Sequence, residues 1–211
     1  VGDQPALICE GVMRTWQEYD DRSARLAGFL VSEGLSTESK VGLYLHNSNE
    51  YMEAHHAAMK HRGCPINVNY RYQEDELIYL LNNADAEAVF FHARYADRID
   101  AIKDRLEKAK VFVQVPDDSD NSLVHGACDY ESVIAHSDSM PRVNRKAEDL
   151  YMLYTGGTTG LPKGVMYSNG EHCAALCGIG AMLGTPVPQS VSDLSDCIAQ
   201  TKDLGTIRPP T

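Results

Sequence analysis

The chain has 211 residues, 43% of them hydrophobic and 23% charged, with a formal net charge of −11. That length holds one large domain or two small ones around a real core. The negative balance argues against electrostatic capture by nucleic acid or an anionic membrane, but a local loop can still hold a small anion against the global sign.

In chain order, residues 5–16 read as two short strands around the turn-like pair Glu10-Gly11. Residues 20–34 place Ala24, Leu26, Ala27, Leu30 and Val31 at helical spacing, with acids at the start and Gly34 as the stop. A buried strand is expected at 40–45. Ser48 then caps a helix running to about Arg62 and ended by Gly63. Residues 64–69 read as a strand, 73–84 as a helix, 86–91 as a strand, 95–109 as a helix and 110–115 as a strand. This alternation predicts an α/β fold: an open, doubly wound, mostly parallel sheet covered by helices. Residues 116–129 have turn composition and read as a loop, 130–137 as a short helix and 138–149 as a polar surface connection. After a strand at 151–154, a loop and a strand at 163–168, helical spacing resumes at about Gly170 and runs to about Leu183. The tail, 184–211, carries a possible helix at 190–201.

Cys9, Cys64, Cys128, Cys173, Cys177 and Cys197 form no C-x-x-C pair. Their scatter suits the reduced thiols of a cytoplasmic protein rather than a disulfide framework. The least polar run, 174–184, is too short to cross a bilayer, so no membrane span is expected. The chain begins with Val1 rather than methionine, which fits a processed product or a fragment.

The stretch YMLYTGGTTGLPKGVMYSNGEH, 151–172, carries the most chemistry. Gly156, Gly157 and Gly160 accept positive φ angles and let backbone come close to a ligand. Successive amides in such a turn form an anion-binding nest. Thr155, Thr158 and Thr159 add hydroxyl donors, Lys163 adds a full positive charge, and Pro162 fixes the approach to that lysine. Together they describe a phosphate cradle between two strands. An ordinary P-loop ATPase requires lysine directly after glycine, then Ser/Thr, then a helix. Here Leu161 and Pro162 separate Gly160 from Lys163, Gly164 follows the lysine, and a strand is expected next. A flexible surface turn would not call for three threonines and a lysine in register.

The segment YTGGTTGLPKGV, 154–165, resembles the signature loop of the adenylate-forming superfamily, the acyl-CoA synthetases among them. Gly156 stands where serine is usual, a variant similar to a bacterial group of fatty-acid and steroid side-chain acyl-CoA ligases. The segments YDDRSARLAGFLVSEGL, KVGLYLHNSNEYMEAHHAAMKHRGCPINVNYRYQEDELIYLLNNADAEAVFF and EDLYMLYTGGTTG resemble the same family's N-terminal half. The resemblance implies a partial N-terminal domain of the adenylate-forming fold. It divides into an α/β subdomain at 1–137, the 138–149 connection and a phosphate-loop segment at 150–211, with the C-terminal domain absent. It implies ATP-dependent conversion of a carboxylic acid, fatty or steroid side-chain, to acyl-adenylate and then acyl-CoA. ATP, Mg2+ and coenzyme A would be the cofactors and co-substrates. Thr155, Gly156, Gly157, Thr158, Thr159, Gly160 and Lys163 would contact phosphate oxygens, with magnesium bridging those oxygens. The family's catalytic lysine, ribose-binding aspartate and magnesium-holding glutamate are expected after this stretch, so no catalytic residue and no metal ligand is assigned here, and the chain by itself is expected to be inactive. The rival expectation is a truncated paralogue that binds nucleotide or a partner without turnover.

Other constellations read as structural. His55, His56 and His61 share a helix without metal-ligand spacing and are expected to be solvated or at the core edge. His172, Cys173 and Cys177 offer too few ligands for zinc and are expected to pack, as is GIGAMLG, 178–184. Asp117, Asp118 and Asp120 read as a solvated turn. Tyr70 and Tyr72, flanking Arg71, read as structural residues ahead of the helix at Gln73, or as the lining of a groove.

Overall fold

The structure is a computed structural model, and it describes residues 2–155 and 161–182. Strands β1 (Pro5–Cys9) and β2 (Val12–Thr15) form an antiparallel ribbon. Glu10 (φ 50°) and Gly11 (φ 81°) turn the chain between them with two consecutive positive φ angles, the twist that suits a two-residue hairpin. Helix α1 (Trp16–Ser32) follows without a break. It begins earlier than the apolar spacing suggests because Thr15 and Glu18 form a capping box. The Glu18 carboxylate accepts from the Thr15 amide at 2.8 Å, and the Glu18 amide donates to the Thr15 hydroxyl at 3.2 Å.

The remaining elements alternate as expected: β3 (Lys40–Tyr44), α2 (Asn49–Lys60), β4 (Cys64–Asn67), α3 (Glu74–Asn83), β5 (Ala86–His92), α4 (Ala96–Ile102), β6 (Val111–Val115), β7 (Cys128–Asp129), α5 (Tyr130–His136), β8 (Leu150–Thr155), β9 (Lys163–Ser168) and α6 (Asn169–Met182). Ser48 caps α2 by accepting from the Tyr51 amide at 3.1 Å. Strands β3 to β9 make one seven-stranded sheet in the order β7-β6-β5-β3-β4-β8-β9, parallel except for β9, which runs antiparallel to β8.

Side chains alternate across this sheet, as the pleat requires. On β5, Ala88 and Phe90 join Leu26, Leu30 and Ala57 beneath α1, α2 and α5. Val89 and Phe91 join Leu77, Leu81 and Ile99 beneath α3 and α4. Both faces are therefore covered, and the open, mostly parallel α/β sheet is confirmed.

Three expectations are corrected. The helix read over 95–109 ends as α4 at Ile102, because Asn82 clips the next segment. Its amide donates to the Arg105 carbonyl and its carbonyl accepts from the Glu107 amide, so Leu106 turns into the core. The loop read over 116–129 ends in β7, paired with Val113 and Gln114 of β6. Gln114 holds that loop against the sheet, donating to the Ser122 carbonyl and accepting from the Val124 amide. On α6, Cys173, Cys177, Ile179 and Met182 are exposed rather than packed, and nothing lies within contact of a side chain built at Gly178.

Candidate functional site

The parallel strands set the geometry of the candidate loop. β8 lies beside β4 with Met152 opposite Ile66, so its carboxyl end points to the same edge as those of β3, β4, β5 and β6. Asn67 locks that end in place. Its side-chain carbonyl accepts from the Tyr154 amide at 3.0 Å and its amide donates to the Tyr154 carbonyl at 3.2 Å. The Tyr154 hydroxyl donates to Asn83 at 2.8 Å. At the opposite end of β8, Asp149 is held by the Arg62 guanidinium, with contacts of 2.6 and 3.1 Å. That guanidinium keeps the Asp149 carboxyl below the usual range.

The chain leaves β8 at Thr155 and returns in β9 at Lys163, and these two residues face each other in the antiparallel register. A hairpin thus opens at the strand-end edge with residues 156–162 as its connection. Thr155 and Lys163 are exposed and Pro162 is buried, so proline anchors the return while the lysine stands in solvent. Among the described residues no carboxylate lies within ion-pair distance of Lys163. Gly156, Gly157, Thr158, Thr159 and Gly160 lie outside the described residues. Lys163 opens a strand, not a helix, so the P-loop ATPase reading fails: that motif takes its anion at a helix N-terminus.

The same edge holds a second feature. β3 has β5 on one side and β4 on the other, so the strand order reverses there. In open α/β sheets such a reversal leaves a crevice at the carboxyl ends of the strands. Here it is a cavity of about 530 Å³ whose lining includes His46, Tyr70, His92, Arg94 and Asp117. The His46 ring stacks on Tyr70 with centroids 4.4 Å apart, and its Nε2 meets the Tyr95 hydroxyl at 2.5 Å. His92 Nδ1 accepts from the His46 amide at 3.1 Å, and burial holds the His92 imidazole below its usual pKa. Tyr44 and Arg98 both donate to the Tyr72 carbonyl, so Tyr72 has a structural role while Tyr70 lines the groove.

Asp117 is not a solvated turn residue. Its side chain is only 10% exposed and pairs with Arg94 at 3.0 Å. Burial pushes its carboxyl up, but donors from Ser119 and Arg94 outweigh that and hold it at about 2. The cluster escaped sequence reasoning because its members follow different strands. The available signal was the run of polar and aromatic residues closing successive strands, in YLHNSN and FFHARY. Among the histidines, His61 is buried outright at 3% exposure rather than solvated, and His55 and His56 are half-buried. The described cysteines are free, and Cys197 lies outside the described residues.

These features define an open α/β protein with a crevice at the carboxyl ends of its parallel strands. The chain belongs to the AMP-binding enzyme family, which matches residues 1–204. It is 39% identical over 196 residues to the medium-chain acyl-CoA ligase Mig of Mycobacterium avium, covering 85% of this chain and 36% of that one. It is 38% identical over 180 residues to the 3-oxocholest-4-en-26-oate–CoA ligase of Rhodococcus rhodochrous, covering 84% of this chain and 32% of that one. The chain thus spans about a third of the length of these curated relatives. The anthranilate CoA ligase AuaEII, solved with anthranoyl-AMP, matches with a TM-score of 0.76 at 19% identity over 82% of this chain and 33% of that one, a likeness of fold. The resemblance to the adenylate-forming acyl-CoA synthetases read from residues 154–165 is borne out at the level of family and fold.

Proposed function

We propose that this chain is part of an AMP-forming acid–thiol ligase. A carboxylate oxygen attacks the α-phosphorus of ATP and pyrophosphate leaves. The sulfur of coenzyme A then attacks the acyl carbon and AMP leaves with the electron pair of the broken C–O bond. The observation that carries this reading is the β8–β9 hairpin, with Thr155 opposite Lys163 and the sequence GGTTG between them at the strand-end edge. Phosphoryl chemistry of this kind needs positioning and charge neutralisation more than covalent assistance from the protein. The 155–163 segment supplies backbone amides, hydroxyls and one ammonium for the departing phosphates.

We assign the switch-point crevice to the second reactant, coenzyme A. It opens on the edge that carries the hairpin, and Arg71, which lies over the Tyr70 ring, offers charge for its phosphates, whereas Arg94 is already held by Asp117 and Asp118. The acid is of the fatty or steroid side-chain class that the relatives' names suggest. Among the described residues no three His, Cys, Asp or Glu side chains converge on a metal position. Magnesium, when bound, would neutralise charge on the nucleotide's phosphates. Among the described residues no helix is long and apolar enough to cross a membrane. The scattered cysteines, with no C-x-x-C pair, support a cytoplasmic setting.

The test is carboxylate-dependent ATP–pyrophosphate exchange by the protein as its gene encodes it. Lys163→Ala is expected to slow exchange by about 10²–10³-fold; an unchanged rate would refute the role of the hairpin. Tyr70→Ala is expected to raise the KM for coenzyme A and spare exchange, and an unaltered KM would remove coenzyme A from the crevice. Saturable ATP binding without exchange would mark a binding-only protein instead.

A further inference from the structure

A second cluster of charge lies away from the strand-end edge, where α1, α2 and the 138–149 connection meet. Helix α2 starts beside the crevice at Asn49 and reaches His56 about 10 Å further along its axis, with Lys60 beyond it. There Asp20, His56, Lys60, Arg142 and Arg145 line a cavity of about 260 Å³. Three permanent cations face a single carboxylate, in a chain whose net charge is −11. Asp20 is already shared, pairing with Lys60 at 2.6 Å and Arg142 at 3.6 Å. Among the described residues no carboxylate lies within ion-pair distance of Arg145. Lys60 is mostly buried, at 12% side-chain exposure, whereas Arg142 is 90% exposed. The arginine can therefore close over a ligand without breaking a buried contact, while the lysine forms the floor.

The fifth member is an imidazole. His56 stacks on Tyr19 with centroids 4.9 Å apart, and its Nδ1 is buried with no hydrogen-bond partner. A buried polar atom in that state costs stability unless something meets it. Met140 and Val143 add an apolar side to the cavity, suited to a short organic stem.

We propose that this pocket binds a small phosphate-bearing anion, at a position separate from the 155–163 hairpin. Converging like charges are relieved by a dianion, and guanidinium and ammonium groups are the donors that phosphate oxygens take. The imidazole gives the site a reporter. Asp20 and Tyr19 face it from α1, His55 and Lys60 from α2, and Arg142 and Arg145 from the connection. Burial, Lys60 and Arg145 hold His56 at about 4. A bound anion offsets the two cations and favours the imidazolium, so the His56 ring reports occupancy.

Inorganic phosphate and glycerol phosphate, titrated into the full chain at about pH 6, test the site through the ring protons of His56 by NMR. The titration is run in wild type and in Lys163→Ala, which removes the cation of the hairpin. A saturable shift of His56 in both proteins, with exposed His125 unmoved, is expected. Arg145→Ala, a substitution at an exposed position, is expected to keep the fold by circular dichroism and weaken binding by about tenfold or more. Tighter binding of glycerol phosphate than of inorganic phosphate identifies an organic phosphate as the ligand, and equal binding identifies phosphate itself. The proposal is overturned if His56 does not shift saturably, if His125 moves in parallel with it, or if Arg145→Ala binds as wild type does. Loss of the His56 shift in Lys163→Ala alone would return the ligand to the hairpin and overturn it as well.

Discussion

Glu53 is a carboxylate shared by three partners from three other elements. It is fully buried and collects Arg22 at 2.9 Å, Arg14 at 3.3 Å and the Tyr130 hydroxyl at 2.5 Å. Burial pushes its carboxyl up, against the pull of Tyr130 and Arg22. Arg22 continues to Glu131 at 2.6 Å, so one carboxylate ties β2, α1, α2 and α5 together. Removing one partner of a buried ion cluster strands the others, at a cost of about 3–5 kcal/mol. Glu53→Ala is accordingly expected to lower the unfolding free energy by that amount, seen as a lower urea midpoint with an unchanged denaturant slope, and a loss under about 1 kcal/mol would mean that the cluster is solvated. Lys163 is the opposite case, exposed at the start of β9. Its removal is expected to leave the urea midpoint in place while slowing exchange, which separates a functional cation from a structural one.

At the scale of elements, the 138–149 connection is a packed strap despite its polar composition. The Met140 amide donates to the Ala24 carbonyl at 2.9 Å, and Gly28 of α1 lies directly beneath Asp138. A Cβ at Gly28 would sit 2.1 Å from the Asp138 carbonyl oxygen, so any side chain there must push the strap off the helix. Gly28→Val is expected to cost about 1–3 kcal/mol, seen as a Tm lower by at least about 2 °C. An unchanged Tm would show that the strap yields freely. The far end of the strap is held similarly: the Gly170 amide donates to the Ala147 carbonyl at 2.8 Å, which fixes where α6 begins. Composition alone does not reveal this. The strap has no period, and its contacts are made by backbone atoms, which leave little trace in side-chain type.

For the molecule as a whole, the buried histidines set the response to acid. His55, His56, His61 and His92 all have pKa values lowered from the model-compound value of 6.5, with burial as the leading cause in each. In the unfolded chain they protonate near 6.5, while in the native state they stay neutral to lower pH. The unfolded state thus binds more protons as pH falls, and stability falls with it. The loss is expected to begin at about pH 6.5 and, for His56, to run down to about 4. Asp117 has the depressed carboxyl, so its contribution is fully present above its unfolded pKa of 3.8 and is lost as pH falls from there through about 2. Urea midpoints measured from about pH 8 to about pH 5 check this: a level stretch above neutrality and a fall below it are expected. A midpoint that does not move between about pH 7 and about pH 5 would show that these imidazoles ionise freely in the folded protein.

Helices, strands and turns were largely legible in the chain because they depend on neighbours a few positions apart: Ser48 capping α2, Glu10-Gly11 turning β1 into β2, and alternation on β5. The strand–loop–strand form of residues 150–168 was legible for the same reason, as was the chemistry of the residues between the strands. The early stop of α4 was not, because Asn82 outcompetes the helix from another element. Nor was the crevice of His46, Tyr70 and His92, nor the pocket shared by Asp20, His56 and Arg145. Those groups lie tens of residues apart and meet only through the order of strands in the sheet. That order is chosen by burying both faces of the sheet at once, a property of the assembled layers that no local stretch of sequence carries.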